Sequence, residues 1–223
     1  RTHSPAEREI GMAITRQEAG LDLGGTHPVL VPPFMDAVIE EIAAAARRSP
    51  YVDHESGVSA RFAVANWRAM VASARRRGIT LGERPSVPRV SDLAHLHATS
   101  AGKLELDLMG SHQMDERQVL DAIIADAIST IFRELVDETG LDPVAGAFGE
   151  GVRIEVGDLV PSADYQAVLS RIPDVWQHAL EVNAATEPAV RASAAEFILA
   201  GLHATDRISR SERFGRTIYE TGP

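Results

Sequence analysis

Apolar side chains recur at the spacing of an α-helix in the N-terminal part of the chain. The clearest segment ends at Arg48 and carries apolar side chains at every third or fourth position: Phe34, Val38, Ile39 and Ile42. Pro32 and Pro33 open it, which a first helical turn tolerates because its amide groups need no partner within the helix. Pro50 then stops the pattern. We therefore predict a helix from Pro32 to Arg48 with one apolar face.

Two more helices are predicted, one on each side of this segment. The stretch SPAERE has the Ser-Pro-x-Glu order of a capping box, with Ser4 as the N-cap, and its helix ends at Gly20. The third helix runs from about Val58 to Arg77 and ends at Gly78. A linker with two prolines, LGERPSVPRV, follows. We place a domain boundary near residue 84, with a helical domain at 1–84 and a second region at 85–223.

The second region mixes helical and alternating patterns. SDLAHL predicts a short helix near 91–96, capped by Ser91 or Asp92, and GKLELDLMG predicts a strand with Leu104, Leu106 and Leu108 on one face. VRIEV alternates as well and is a candidate partner for that strand. Further helices are predicted from Asp115 to about Glu138, from Ser162 to Pro173, at about 174–182 and at 188–203. The predicted fold class is mainly α, with a small two-stranded β element.

Composition and charge narrow the function classes. The chain has 223 residues, no cysteine and a formal net charge of −10, so thiolate zinc sites and cysteine nucleophiles are excluded and nucleic acid is an improbable partner. No apolar run approaches the roughly 20 residues that a membrane span needs, and no signal peptide is visible. We therefore expect no membrane partner and a cytoplasmic location.

Motifs of nucleotide-binding cores, nucleophile elbows and zinc helices are absent from the sequence. His95 and His97 lie two positions apart, which suits a metal on a strand, but they follow a helical turn and no carboxylate is nearby in sequence. Exposed loop histidines are the simpler interpretation. We predict no catalytic residue and no metal site within this chain.

Three arginines form a stripe along the third predicted helix. Arg61, Arg68 and Arg75 are spaced by seven residues and border an apolar face that includes Trp67. The simplest interpretation is that they extend over the rim of a helical bundle. Arg61 differs by position: it lies in the first turn, where free amide groups and the helix dipole already favour an anion. A guanidinium there offers a forked set of donors to a phosphate.

An ordered set of segments resembles a known family. SGVSAR followed by an amphipathic helix resembles the sensor 2 motif of AAA+ ATPases, in the clade of the magnesium-chelatase ATPase subunit and MoxR-like proteins. Over nearly the whole chain, five further segments look like those of bacterial magnesium-chelatase-like proteins: RTHSPAEREIGMAI, VPPFMDAVIEEIAAAARRSPYVDHESGVSARFAVANW, PRVSDLAHL, SAGKLELDL and GRTIY.

The resemblance implies that residues 1–84, with VSDL, form a helical AAA+ lid and that the rest is a family-specific C-terminal region. Arg61 would be the sensor 2 arginine that contacts the nucleotide phosphates, with Ala60 nearby. ATP and Mg²⁺ would be bound by a nucleotide-binding core that precedes Arg1. The chain would then be part of a longer ATPase and inactive alone. Its partners would be its own core, neighbouring subunits of a ring and a partner subunit or remodelled protein.

A different class of function stays open on the residues alone. The chain would then be a non-catalytic helical protein-interaction module. Arg207, Arg210, Arg213 and Arg216 recur every third residue near the C-terminus and form a local basic edge on an acidic protein. The simpler interpretation of this tail is a solvated, partly disordered end.

Overall fold

A computed structural model describes residues 7–53, 58–104, 114–213 and 216–222. Within these ranges the chain is mainly helical with a small antiparallel sheet, which confirms the predicted mainly α fold class. The α-helices are α1 (Arg8–Ala19), α2 (Pro33–Arg48), α3 (Ala60–Leu81), α4 (Leu96–Ser100), α5 (Glu116–Leu135), α6 (Asp142–Gly149), α7 (Tyr165–Val168), α8 (Val175–Val182) and α9 (Pro188–Ala204). The strands are β1 (Ile154–Gly157), β2 (Ile208–Arg213) and β3 (Arg216–Thr221). No helix in the described ranges has both the length and the apolar character to cross a membrane.

The predicted C-terminal end of α3 needs correction, whereas that of α1 is confirmed. α3 continues past Gly78 and ends at Gly82, which has a left-handed backbone (φ 70°). Gly78 serves a close contact instead: a Cβ there would lie 1.8 Å from Oγ of Ser86. α1 ends at Gly20 as predicted, also left-handed. Its predicted N-cap, Ser4, lies outside the described residues.

α1 packs on the bundle through small and charged residues. Its buried positions are Gly11, Thr15 and Ala19, while Ile10 and Ile14 are 50% and 38% exposed. Arg8 and Arg16 at either end form ion pairs with acidic residues of α2. Polar contacts therefore hold α1 in place, and an apolar pair faces outwards.

α2 connects the N-terminal helices to the rest of the chain. It packs against both α3 and α5, and α5 packs in turn against α9. Phe34 of α2 lies 5.1 Å from Phe197 of α9, whose ring is 6.2 Å from that of Phe132 on α5. The hydrophobic core therefore continues across residue 84. The domain boundary itself stays a prediction.

The sheet has three strands in the order β1-β3-β2, with antiparallel pairing throughout. The sequence predicted two strands. VRIEV does form β1, but its described partner is β3, with Ile154 opposite Tyr219. In the segment predicted to pair with it, Leu104 lies in a bend, and Leu106 and Leu108 are outside the described residues. The C-terminal segment expected to be a solvated tail supplies β2 and β3.

Of two N-caps predicted in the second region, Asp115 is confirmed and Ser162 is not. Asp115 caps α5 as predicted: its Oδ1 accepts a hydrogen bond from the Gln118 amide (2.8 Å), and the Gln118 side chain accepts one from the Asp115 amide. Ser162 does not cap a helix. It begins a single 3₁₀ turn, Ser162–Asp164, and its hydroxyl accepts a hydrogen bond from Arg89 (2.5 Å). The prediction treated Ser162 as a local cap, whereas a distant arginine uses it.

Candidate functional site

The first turn of α3 carries both residues of the predicted nucleotide contact. Ala60 is the first helical residue and Arg61 the second, and both are exposed. The preceding Ser59 has an extended backbone and makes no capping hydrogen bond through its side chain, and none of the described residues of the first turn is acidic. This end of the helix therefore presents its partial positive charge together with a guanidinium.

The start of α5 offers a comparison, because it also has an arginine at the second helical position. Arg117 is also the second residue of its helix, but Asp115 caps that helix and Glu116 occupies the position before Arg117. Two carboxylates thus offset the dipole and the arginine charge at the start of α5. No described residue in the first turn of α3 plays that part. The start of α3 is the more favourable place for an external anion.

The two other arginines of the stripe have structural partners. Arg68 donates from Nε to the carbonyl oxygen of Ala19 (2.8 Å) and from Nη2 to that of Glu18 (3.1 Å), at the C-terminal end of α1. Arg75 donates from Nε to the carbonyl oxygen of His27 (3.2 Å), in the loop before α2. Both therefore fit the interpretation of arginines that stabilise a bundle.

Arg61 does not share this behaviour. Within the described residues its guanidinium forms no hydrogen bond and no ion pair. Charge in the first helical turn is unfavourable when it is positive, because it adds to the dipole. Of the three arginines in the stripe, Arg61 is thus the one whose position is not explained by contacts with the described residues.

A buried ionic cluster lies at the opposite end of α3, and sequence reasoning missed it. Arg77 lies 3.0 Å from Asp92 and 2.8 Å from Glu83, and Arg89 lies 2.9 Å from Glu83. The side chains of Arg77, Arg89 and Asp92 are at most 1% exposed. Arg89 and Asp92 also close a local box, in which the Arg89 amide donates to the Asp92 carboxylate (2.8 Å).

The cluster continues into the C-terminal region. The Arg89 guanidinium stacks over the ring of Tyr165 at 4.5 Å, and the Tyr165 hydroxyl donates to Glu196 of α9 (2.7 Å). The other carboxylate oxygen of Glu196 accepts a hydrogen bond from the Ser91 amide (2.5 Å). The ionic cluster of Arg77, Glu83, Arg89, Asp92 and Glu196 thus joins the end of α3 to α7 and α9.

The pKa values of Tyr165 and Glu83 are shifted in opposite directions. Burial, with the neighbouring Glu196 carboxylate, raises the pKa of Tyr165 well above its ordinary value, so the hydroxyl stays a donor. Burial alone would raise the pKa of Glu83, but Arg89, the Ser162 amide and Arg77 outweigh it and the net pKa is lowered. Glu83 is therefore held as a carboxylate between two arginines.

The signal for this cluster was present but was interpreted as a linker. The two prolines of LGERPSVPRV favoured a linker or extended segment, and its charged residues were not considered. In the fold Glu83 pairs with Arg77 and Arg89, Arg77 pairs with Asp92, and the apolar Val87 and Val90 between them are buried. Distinguishing a linker from such a buried segment requires the tertiary partners.

The two histidines of HLH, His95 and His97, contact different residues. His95 faces Arg76 (2.6 Å) and Asp158 (3.3 Å), and His97 contacts Asp121 (2.9 Å). In the part of the chain that the structure describes, no group of three or more histidine and acidic residues could hold a metal ion. These histidines therefore belong to separate polar contacts.

The basic residues near the C-terminus pair with acids. Arg207 lies 2.6 Å from Asp142, Arg210 lies 2.5 Å from Glu212, and Arg216 forms an ion pair with Glu155. The Arg213 side chain is outside the described residues. Much of the predicted basic edge is thus neutralised within the fold.

Comparison of this chain with protein-family models, with curated proteins and with solved structures gives no match.

Proposed function

We propose that the chain is the helical lid and C-terminal region of a magnesium-chelatase-like AAA+ ATPase, in which Arg61 contacts the terminal phosphate of ATP. The proposal rests on the sequence resemblance and on one observation in particular. Of the three stripe arginines, Arg68 and Arg75 are held by backbone carbonyl groups, whereas Arg61 lies exposed at an uncapped helix start without a partner among the described residues. A phosphate is the ligand that best suits this combination.

Arg61 would act by neutralising charge on the transferring phosphoryl group. Phosphoryl transfer depends on positioning and on electrostatic stabilisation of oxygens that carry charge in the transition state. In this proposal Ala60 lies beside the nucleotide, and Mg²⁺ is bound by the core that precedes the chain. The chain itself contributes the guanidinium and the free amide groups at the start of α3.

The rest of α3 would convert phosphate contact into motion of the lid. Arg68 and Arg75 attach the helix to the end of α1 and to the loop before α2. The buried ionic cluster attaches its other end to α9. A shift of α3 would therefore be passed to both regions as a rigid-body movement, and loss of the terminal phosphate would release it. Such movement would drive a partner protein or metal insertion.

The test is ATP turnover by the parent protein that carries this chain. Arg61→Ala removes the guanidinium and leaves the packing of α3 unchanged, because the side chain is exposed. Loss of one transition-state charge contact predicts a fall in kcat of about 100-fold or more. The chain of 223 residues alone should hydrolyse no ATP.

Arg171→Ala is the matched control, since Arg171 is exposed and lies in the C-terminal region. Its turnover should equal that of the wild type. Wild-type turnover in Arg61→Ala, with the fold intact by circular dichroism, would contradict the proposal.

One observation favours the alternative, a non-catalytic protein-interaction module. Ile10 and Ile14 form an exposed apolar pair on α1, whose polar side holds it to the bundle. This arrangement suits a helix that offers its apolar side to another protein. If Arg61→Ala leaves turnover unchanged while Ile10→Ser with Ile14→Ser abolishes binding of a partner subunit, the interaction role is the better account.

A further inference from the structure

A cleft opens between the C-terminal helices and the sheet, away from the start of α3. It has a volume of about 260 Å³ and is lined by the 3₁₀ helix Val90–His95, α4, α5, α9 and β2. Side chains from elements far apart in the sequence converge on it. This volume is slightly below the usual range for drug-sized ligands and suits a fragment-sized molecule.

The wall and the mouth of the cleft differ in chemistry. Leu93, Ile124, Ile128 and Ala200 give it an apolar wall. Arg117, Asp121, His97, Arg210 and Glu212 bring charge and hydrogen-bonding groups to the same space. With His203 and Ser211 also in its lining, the cleft is more polar than an ordinary small-molecule site, which favours a ligand that has both an apolar body and a charged group.

The acidic groups of the cleft already have partners. The Asp121 carboxylate contacts His97 at 2.9 Å, and the Glu212 carboxylate accepts a hydrogen bond from Nη2 of Arg210 at 2.5 Å. Each carboxylate therefore already has one polar contact within the fold. A ligand that needed to donate to these carboxylates would have to displace those contacts.

The basic groups keep free donors. A guanidinium has five N–H groups. Among the described residues, Arg210 uses only Nη2, and its Nε is buried without a partner. Arg117 is 71% exposed and is only loosely paired, at 4.0 Å from Asp121. The cleft therefore has an excess of donors over acceptors, and a ligand that fits it should supply acceptors.

We propose that this cleft binds a small organic carboxylate whose apolar body lies against Leu93, Ile124 and Ile128 and whose acid group lies between Arg117 and Arg210. Planar carboxylates match the forked donors of arginine, and charge-assisted hydrogen bonds are about twice as strong as neutral ones. The apolar wall favours an organic acid over an inorganic anion. This site is independent of the nucleotide contact at Arg61.

The probe is phenylacetate, with phenylacetamide as the neutral analogue of the same shape and inorganic phosphate as an anion without an apolar body. Binding to the whole chain is followed by ligand-observed NMR and by amide shifts in ¹H–¹⁵N spectra. Phenylacetate should shift amides of α5 and β2, whereas phenylacetamide and phosphate should bind at least tenfold more weakly. Equal binding of the amide, or shifts elsewhere only, would overturn the carboxylate assignment.

Arg117→Gln and Arg210→Gln should each weaken phenylacetate binding by about tenfold, as expected for one charge-assisted contact. Arg133→Gln is the control, since Arg133 is 62% exposed on the same helix but does not line the cleft. Arg117 is exposed, so its substitution leaves the fold intact even if Arg210→Gln does not. Unchanged affinity in Arg117→Gln, or no phenylacetate binding to the wild type at millimolar concentration, would refute the site.

Discussion

Gly201 of α9 lies directly against the ring of Phe132 on α5. A Cβ at position 201 would come within 2.1 Å of Cδ2 and 2.3 Å of Cγ of that ring, which is completely buried. We expect Gly201→Ala to force α5 and α9 apart and to lower the free energy of unfolding by roughly 2 kcal/mol or more, despite the better helix propensity of alanine. Urea unfolding followed by circular dichroism measures the change.

Gly146→Ala is the matched control for that substitution. Gly146 is also inside a helix, α6, but no described atom lies within 4 Å of a Cβ built there. Only helix propensity changes, so stability should stay the same or rise by up to about 1 kcal/mol. Similar losses in both variants would show that the contact with Phe132 is not the cause.

Arg89→Met tests the buried ionic cluster. The substitution leaves Glu83 buried beside Arg77 alone and removes the stacking on Tyr165. Removing one partner of a buried pair typically costs about 3–5 kcal/mol, and we expect a loss in that range. Arg153→Met breaks an exposed pair with Glu220 and should cost no more than about 1 kcal/mol. A small effect of Arg89→Met in urea unfolding would contradict the assigned role of the cluster.

Arg61→Ala and Arg68→Ala should differ in their effect on the free energy of unfolding. Arg61 is exposed and lacks a described partner, so its substitution should change the free energy of unfolding by less than about 0.5 kcal/mol. Arg68→Ala removes two hydrogen bonds to the end of α1 and should cost about 1–2 kcal/mol. Thermal unfolding of both variants is the measurement. Equal losses would mean that Arg61 has a structural role after all.

Glu40 should make the protein less stable as the pH rises. Burial raises the pKa of Glu40, and Arg47 and Thr15 offset only part of that effect. The folded state therefore holds the proton more tightly than the unfolded state, so stability falls as the pH rises from the unfolded pKa through the folded one. Glu40→Gln should be more stable than the wild type at neutral pH, and the difference should disappear below about pH 4. Urea unfolding across this range shows whether the two curves converge in acid.

The elements with local signals could be predicted from the sequence, as α2 and the capped start of α5 show. Both depend on patterns within a few residues: a proline start with an apolar face, and Asp115 three residues before Gln118. The predicted end of α3 was wrong because Gly78 allows close contact with Ser86 and does not end the helix. A close contact with a residue outside the helix cannot be recognised from the local sequence pattern.

The sheet and the ionic cluster depend on partners far along the chain. Thr217, Ile218 and Tyr219 are consecutive buried residues of β3, because a middle strand beside helices is covered on both faces, and the expected alternation is lost. Arg89 finds Ser162 and Tyr165 only in the folded chain. For the candidate site, the position of Arg61 in the first helical turn could be recognised from the sequence. The backbone partners of Arg68 and Arg75 could not, because they lie far along the chain.

The middle strand of the sheet is also the last of the three in sequence order. β1 and β2 are both edge strands that pair with β3 and not with each other. During synthesis, β1 leaves the ribosome long before β3. The backbone N–H and C=O groups of β1 therefore have no strand partner until residues 216–221 have been made. The sheet therefore cannot form until β3 has been synthesised, and a ribosome paused after β2 would hold two strands that lack their common partner.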